Sequence, residues 1–443
     1  MKFMPTDFDL GASFPIPANV SVHRVDGRIL IIAPEIPAWI TVDDAEAEVI
    51  TRLSKGATIG ELISCLASWQ VSDPQAKLSD LLTRLAVNDF AAWGDTAPGD
   101  KHECRSETTI QLHLTNKCNL RCKHCYVASG EPFPTEMSMA DWKAVVDHAV
   151  ASYEKVYVSI SGGEPLLVPW LSDLLIHIKS HGLRTSLLTN GMLWTEKRIA
   201  QLKPLADLVN VWLDGASDSV HDRIRGPGAF RLALRGIRRI GHAGIEVGIN
   251  ICLIKSNMDD LLQNFGRLIP DFDFPVSVIF AKFVQEGRGL EAREENLPEA
   301  DLERVLPLLA TEFLSTGWAP TLPSRQLSCG FGKLYAFYAN GDVSPCLSPR
   351  FIAGNVLRTP VEELFARIGQ SAKRAEVDRL PLCRSCDLRY VCGGRCHLPQ
   401  VTGGQEISQN DCSASYRKAL YRLLAVRGEK RDAVMSAVAS RVV

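Results

Sequence analysis

Residues 109–126 read Thr-Ile-Gln-Leu-His-Leu-Thr-Asn-Lys-Cys118-Asn-Leu-Arg-Cys122-Lys-His-Cys125-Tyr126, a strand-like run that passes directly into three closely spaced thiols. Three thiolates within eight residues can hold three irons of a 4Fe–4S cube and leave the fourth iron open to a small molecule. A cluster with an open iron does chemistry, whereas a fully ligated one moves electrons. Zinc is the competing reading. It wants four ligands, and the nearest spare donors, Cys104 and His124, are poorly spaced for it.

Outward from that stretch the chain alternates strands and helices. Strands are expected at Ile110–Thr115, Val156–Ile160, Leu183–Leu188, Leu208–Leu213, Ile245–Ile254 and Val276–Ala281. Between them lie amphipathic helices; after Ser138, for example, Trp142, Val145, Val146, Ala149 and Tyr153 share a face. Six such units imply a parallel sheet with right-handed crossovers, a barrel or part of one, with chemistry at the C-terminal strand ends. The first thiol triplet falls just past the first strand. Ser161-Gly162-Gly163-Glu164-Pro165 ends the second, Thr189-Asn190-Gly191 the third and Asp214-Gly215 the fourth, followed by His221-Asp222-Arg-Ile-Arg225-Gly226. A glycine pair permits close backbone approach, and a carboxylate suits an ammonium. Asp214 reads equally as a base or as a cap on its turn.

A second constellation occupies the C-terminal quarter: Cys329 and Cys346, then Cys383-x2-Cys386-x5-Cys392-x3-Cys396, then Cys412. Seven thiolates suit one four-ligand and one three-ligand site; the bland alternative is one structural zinc with leftover thiols. Of the remaining cysteines, Cys65 and Cys252 read as small buried hydrophobes, and Cys104 sits in a polar stretch, residues 94–108. Upstream, Asp26-Gly27 between Val20–Val25 and Arg28–Ile32 signals a hairpin. Helices follow from about Asp43 to Leu53, after Thr58, and from Pro74 to Val87, a winged-helix-like order.

A net charge of −2 argues against a broad nucleic-acid or lipid surface, and the second helix has no Lys or Arg between Ala57 and Gln70. The apolar run Ile29–Ile40 is broken by Pro34, Glu35 and Pro37, so no membrane span is expected. The start of the chain, with Pro5, Asp7 and Asp9, lacks a secretory pattern. A cytoplasmic setting keeps thiols reduced, which favours metal over disulfide chemistry.

The first triplet resembles the C-x3-C-x-aromatic-C signature of the radical S-adenosylmethionine (SAM) superfamily, with His124 at the ring position, and the strand-end motifs resemble that family's in order. The resemblance implies an α/β fold built on a partial (β/α)6 TIM-like barrel over 109–320. It implies SAM as cofactor, with catalytic Cys118, Cys122 and Cys125 on a SAM-binding 4Fe–4S cluster. Gly162, Gly163 and Glu164 would receive the SAM ammonium. Thr189, Asn190 and Arg225 complete the cofactor set, Arg225 towards the carboxylate, with Tyr126 near the adenine. Trp212 departs from relatives that carry a serine near the ribose.

The seven downstream cysteines resemble the SPASM extension of peptide-modifying relatives, giving a Cys-rich iron–sulfur domain over 321–443 and two auxiliary clusters, three clusters in all. By that resemblance Cys383, Cys386, Cys392 and Cys412 hold one, while Cys329, Cys346 and Cys396 hold the other beside an open iron or a non-cysteine ligand. Residues 1–95 resemble the leader-recognition element of maturases of ribosomally synthesised, post-translationally modified peptides, joined by a linker at 96–108.

The implied activity is an oxidoreductase that modifies a precursor peptide through hydrogen abstraction by a 5′-deoxyadenosyl radical, forming a thioether or carbon–carbon cross-link. The implied partners are a leader-bound precursor peptide and a reductase such as flavodoxin or ferredoxin, with no nucleic acid or membrane. The alternatives are a sulfatase-maturase-like dehydrogenase acting on Cys or Ser of a protein, and a catalytically silent peptide-binding chaperone.

Overall fold

The structure is a computed structural model, and it describes residues 9–36, 38–88, 90, 107–298, 301, 304, 327–394 and 412–440. Cys104 and Cys396 lie outside the described residues.

The chain opens on an antiparallel sheet of three strands, Ser21–Val25 (β1), Arg28–Ala33 (β2) and Ala38–Val42 (β3), in the order β1-β2-β3. Asp26 and Gly27 both take positive φ, 48° and 79°, the pairing a two-residue hairpin turn needs. β3 goes beyond the two-strand hairpin read from sequence; it starts directly after Pro37 and alternates buried and half-buried residues. Helices Asp44–Leu53 (α1), Ile59–Ser68 (α2) and Pro74–Val87 (α3) follow. Asp43 with Glu46 and Thr58 with Glu61 form reciprocal caps that satisfy the first free N–H groups of α1 and α2. The helices bury Val49, Ile50, Leu62, Leu66 and Leu81 against Ile29, Ile31 and Ile40 of the sheet.

The main sheet has the order β12-β11-β10-β4-β5-β6-β7-β8-β9. Its strands are Glu107–His113 (β4), Lys155–Ser161 (β5), Thr185–Thr189 (β6), Leu208–Trp212 (β7), Glu246–Leu253 (β8), Val276–Lys282 (β9), Leu334–Tyr338 (β10), Asp342–Ser344 (β11) and Gly354–Asn355 (β12). The first six are parallel neighbours in chain order, matching the six strands read from sequence. Winding in one direction is the barrel pattern rather than the doubly wound one. β10 adds in parallel beside β4, and β11 and β12 continue antiparallel, so the C-terminal region extends the sheet.

The crossover helices are Met139–Ser152 (α4), Leu171–Ser180 (α5), Glu196–Leu202 (α6), Asp218–Arg225 (α7), Ala229–His242 (α8) and Met258–Leu268 (α9). They cover one face of the sheet, where Ile110, Leu112, Val158, Ile160, Leu187, Val209, Val211, Ile249 and Ile251 are buried. Each such side chain stabilises the fold by roughly 1.5–3 kcal/mol. Alternation puts Gln111, His113, Ser161, Asn210 and Asn250 on the other face. A buried but polar inner face is what a half-barrel holding charged guests requires.

After the sheet come Val361–Arg374 (α10), the short Arg389–Cys392 (α11) and Ala414–Ser440 (α12). α12 packs on the N-terminal sheet through Leu30, Ile32, Leu388 and Leu424. Among the described residues no helix is long and apolar enough to cross a membrane.

Candidate cluster and cofactor site

The loop leaving β4 carries Cys118, Cys122 and Cys125. Glu136 fastens its start by accepting from Thr115 Oγ1 (2.8 Å), Asn116 N (2.8 Å) and Phe133 N (3.0 Å). The Cys118 N–H donates to Gly130 O at 2.8 Å, closing the loop. Backbone N–H groups of Leu120 and Ser129 point at the sulfurs of Cys118 (3.4 Å) and Cys125 (3.3 Å), a field that favours thiolates. Burial pushes the Cys118 thiol up to about 11 and raises Cys122 as well. Thiols so reluctant to ionise alone become thiolates by taking a cation.

Gly162 and Gly163 end β5 hard against this loop. A Cβ on Gly162 would stand 2.6 Å from Thr115 O, and one on Gly163 2.1 Å from Lys117 O. The Gly163 N–H donates to Thr115 O at 2.7 Å and that of Glu164 to Lys117 O at 2.9 Å. The glycine pair is therefore a joint between two strand ends, with the Gly163 N–H already committed to it.

Glu164 is fully buried. Its carboxylate accepts from Leu166 N (3.1 Å), Thr189 Oγ1 (2.9 Å) and Asn190 N (2.9 Å). Burial lifts it to about 7 against those hydrogen bonds. Sequence reading aimed this carboxylate at an ammonium; in the structure it fastens the end of β6 to the end of β5. Asn190 in turn donates from Nδ2 to Asn119 Oδ1 at 2.8 Å, tying β6 to the thiol loop.

At the end of β7 Asp214 is also fully buried. Arg225 Nε donates to it at 2.6 Å, His124 Nε2 lies 3.1 Å away, and the Cys252 N–H donates at 2.8 Å. Burial works against its charge, but Arg225 and His124 hold it well below the usual carboxylate range. A carboxylate held so firmly ionised is a counter-ion and a brace, which favours the capping reading of Asp214 over the basic one. Arg225 sets Nη1 3.9 Å from Cys122 Sγ and lies 5.5 Å over the Trp212 ring. Trp212 thus backs this guanidinium. Tyr126 packs edge-on to His113, with ring centroids 6.2 Å apart.

Sequence reading missed the segment after β9. Gly287 (φ 54°) packs so closely that a Cβ would meet Cys125 O and Tyr126 O at 2.6 Å. Arg288 donates from its backbone to Cys125 O (3.0 Å), from Nε to Cys122 O (2.8 Å) and from Nη1 to Ser129 O (2.9 Å). Three carbonyls of the thiol loop hang on one residue. Nothing local in Gln285-Glu-Gly-Arg-Gly289 announces this, because the contacts span about 160 residues, as in Arg288 to Ser129 at a separation of 159.

Burial pushes the Cys383 thiol up to about 11, and the charges of Cys392, Cys386 and Cys412 add to it. Cys346 sits on the loop after β11, its sulfur accepting from the Ser348 N–H at 3.4 Å. The segment bearing Cys329 meets it through the Gly332 N–H to Pro345 O, 2.7 Å. Cys65 and Cys252 are buried among apolar neighbours, as read from sequence.

The donor sets fit iron–sulfur clusters better than zinc. Thiolates sharing one zinc at about 2.3 Å stand about 3.8 Å from one another. Among the described residues, three ligand atoms within 4.8 Å of each other occur only at Asp147, His177 and His181, on the outer helices α4 and α5. No three described cysteine sulfurs stand that close together, so neither set is gathered as a single zinc would hold it.

Residues 112–268 match the family model described as the Radical SAM superfamily. The chain is 29% identical over 325 residues to the mycofactocin maturase MftC of Mycolicibacterium smegmatis, covering 68% of this chain and 81% of that protein. It is 28% identical over 318 residues to an AdoMet-dependent heme synthase of Methanosarcina barkeri, covering 64% and 90%. Among solved structures, Streptococcus suis SuiB bound to S-adenosylmethionine superposes with a TM-score of 0.53 at 16% identity, over 88% of this chain and 97% of that one. That likeness concerns the fold.

Proposed function

We propose that this chain, whose residues 112–268 match the Radical SAM superfamily model, is a radical SAM/SPASM enzyme that oxidatively modifies a ribosomally made precursor peptide. The observation that carries the reading is the three-thiol loop at the C-terminal ends of a one-way-wound parallel sheet, with a glycine joint and a buried guanidinium against it. When bound, a 4Fe–4S cluster with SAM supplies hydrogen-atom abstraction from unactivated carbon.

Cys118, Cys122 and Cys125 would hold three irons of that cluster. Gly162, Gly163 and Glu164 would receive the SAM ammonium, and Glu164 also fixes Thr189 and Asn190. Arg225 spends Nε on Asp214 and directs Nη1 at Cys122, leaving Nη2 for the carboxylate of the cofactor. Burial and the polar inner face of the sheet keep water from a reactive centre and orient the guests. Cys383, Cys386, Cys392 and Cys412 hold one auxiliary cluster; Cys329, Cys346 and Cys396 hold another. Residues 1–95 bind the leader of the peptide by strand addition at an edge of the three-stranded sheet. A reductase in the cytoplasm supplies the electron.

The test is anaerobic. Reconstituted, dithionite-reduced protein should release 5′-deoxyadenosine, and a small peptide encoded beside the gene should change mass. No 5′-deoxyadenosine under either condition rejects the enzyme. The resemblance to a heme synthase supplies a second arm, an iron porphyrin in place of the peptide; its turnover with the peptide inert would reverse the substrate assignment.

A further inference from the structure

The tightest group of metal-ligating atoms among the described residues lies away from the thiols, on the outer helices α4 and α5. His177 and His181 stand four residues apart at the end of α5, so the helix repeat sets them on one face. Their ring centroids are 5.1 Å apart, with the planes at 85°. Asp147 reaches across from α4. Its Oδ1 lies 2.7 Å from His177 Nε2 and 2.8 Å from His181 Nε2, so two imidazoles share one carboxylate oxygen. The side chains of His177 and His181 are 20% and 29% exposed, while that of Asp147, at 50%, leaves the group open to ions from solvent.

Two imidazole nitrogens and one carboxylate oxygen are a three-ligand zinc set, with water in the fourth position. Zinc holds such atoms at about 2.0–2.1 Å, which places them about 3.3 Å from one another. Here all three lie within 4.8 Å, and two of the edges are already 2.7 and 2.8 Å. Small side-chain rotations therefore admit the ion. Burial works against the charge of Asp147, but hydrogen bonds from His181 and His177 hold its carboxyl below the usual carboxylate range. The anionic ligand is thus ready, and the last turn of a helix favours a cation.

We propose that Asp147, His177 and His181 bind one divalent cation of the class that imidazole prefers, zinc being the probe. The ion pins α4 to α5. These helices lead into β5 and β6, so the ligands sit toward the end of the sheet opposite the thiol loop. In a sheet wound this way that end serves stability, whereas the C-terminal strand ends carry the chemistry. The site is a staple, independent of the iron–sulfur reading.

The test uses the full chain after anaerobic iron reconstitution and desalting. Zinc titration by calorimetry, with metal analysis of the desalted product, should find one saturable zinc per chain that the double variant His177→Ala with His181→Ala lacks. Zinc should raise the unfolding temperature of the parent and leave that of the double variant unchanged. Losing even an outer partner of a zinc ligand costs about 10–100-fold in affinity. Asp147→Asn, which keeps the shape of the side chain, should therefore weaken binding at least about ten-fold. Equal iron content and equal helical circular dichroism show that the variants are folded. Thiols that took zinc for want of iron would do so in parent and variant alike, so the difference between them reads this site alone. Equal zinc in parent and double variant, undiminished affinity in Asp147→Asn, or zinc that binds without raising the unfolding temperature would overturn the staple.

Discussion

At Gly163 a single hydrogen in place of a methyl group decides whether two strand ends can meet. A Cβ there would lie 2.1 Å from a backbone carbonyl, which cannot swing aside as a flexible side chain would. Gly163→Ala should cost roughly 1–3 kcal/mol and lower the iron bound by the Cys118 loop, read by thermal unfolding and iron analysis. His113 supplies a pH prediction. Burial lowers its imidazole from 6.5 to about 3, so the folded protein holds it neutral while the unfolded chain protonates it. Between those values the unfolded state binds more protons, and stability falls as pH falls. Lowering pH from 7.5 to 5.5 should cost about 1.4 kcal/mol through this residue, and His113→Gln should remove that component of the slope in urea unfolding. The place of Cys118, Cys122 and Cys125 just past the first strand of the main sheet was legible in sequence, because their spacing is local. The roles of Glu164 and Arg288 were not, because their partners lie 25 and 159 residues away.

Elements follow the same division between local and distant causes. Ser138, Thr58 and Asp43 announced their helices because an N-cap acts within three residues, and each forms the reciprocal cap with the residue at the third position. The six parallel strands were legible from apolar runs, since one face of each packs under helices. β10, β11 and β12 were not: they lie in a cysteine-rich stretch that reads as loop, and β10 gains its partner only in register with β4. The turn after β9 is an element of the same kind, invisible locally and anchored to three carbonyls by Arg288. Arg288→Ala should leave the helix content unchanged by circular dichroism. It should also reduce iron retention at the Cys118 loop several-fold on anaerobic gel filtration.

In the whole molecule the N-terminal module and the cysteine-rich region share one interface. His23 Nε2 lies 2.5 Å from Asp387, which follows Cys386 directly, and Tyr421 OH donates to the same carboxylate at 2.9 Å. Arg389 pairs with Glu35 at 2.6 Å around an apolar centre of Leu30, Ile32, Leu388 and Leu424. Leu424→Asp would bury an unpaired charge there and release the module. Peptide-independent SAM cleavage should then persist while peptide modification fails, with faster limited proteolysis of residues 1–95 as the structural readout. The seam between β4 and β10 has a further consequence for synthesis. Lys333 O accepts from Thr108 across 225 residues of chain, so the outer edge of β4 stays bare until the ribosome has made β10. At about 5–20 residues per second the nascent chain waits on the order of ten to forty-five seconds with a sticky edge exposed. Iron loading that outran translation would therefore meet a bay whose far wall did not yet exist.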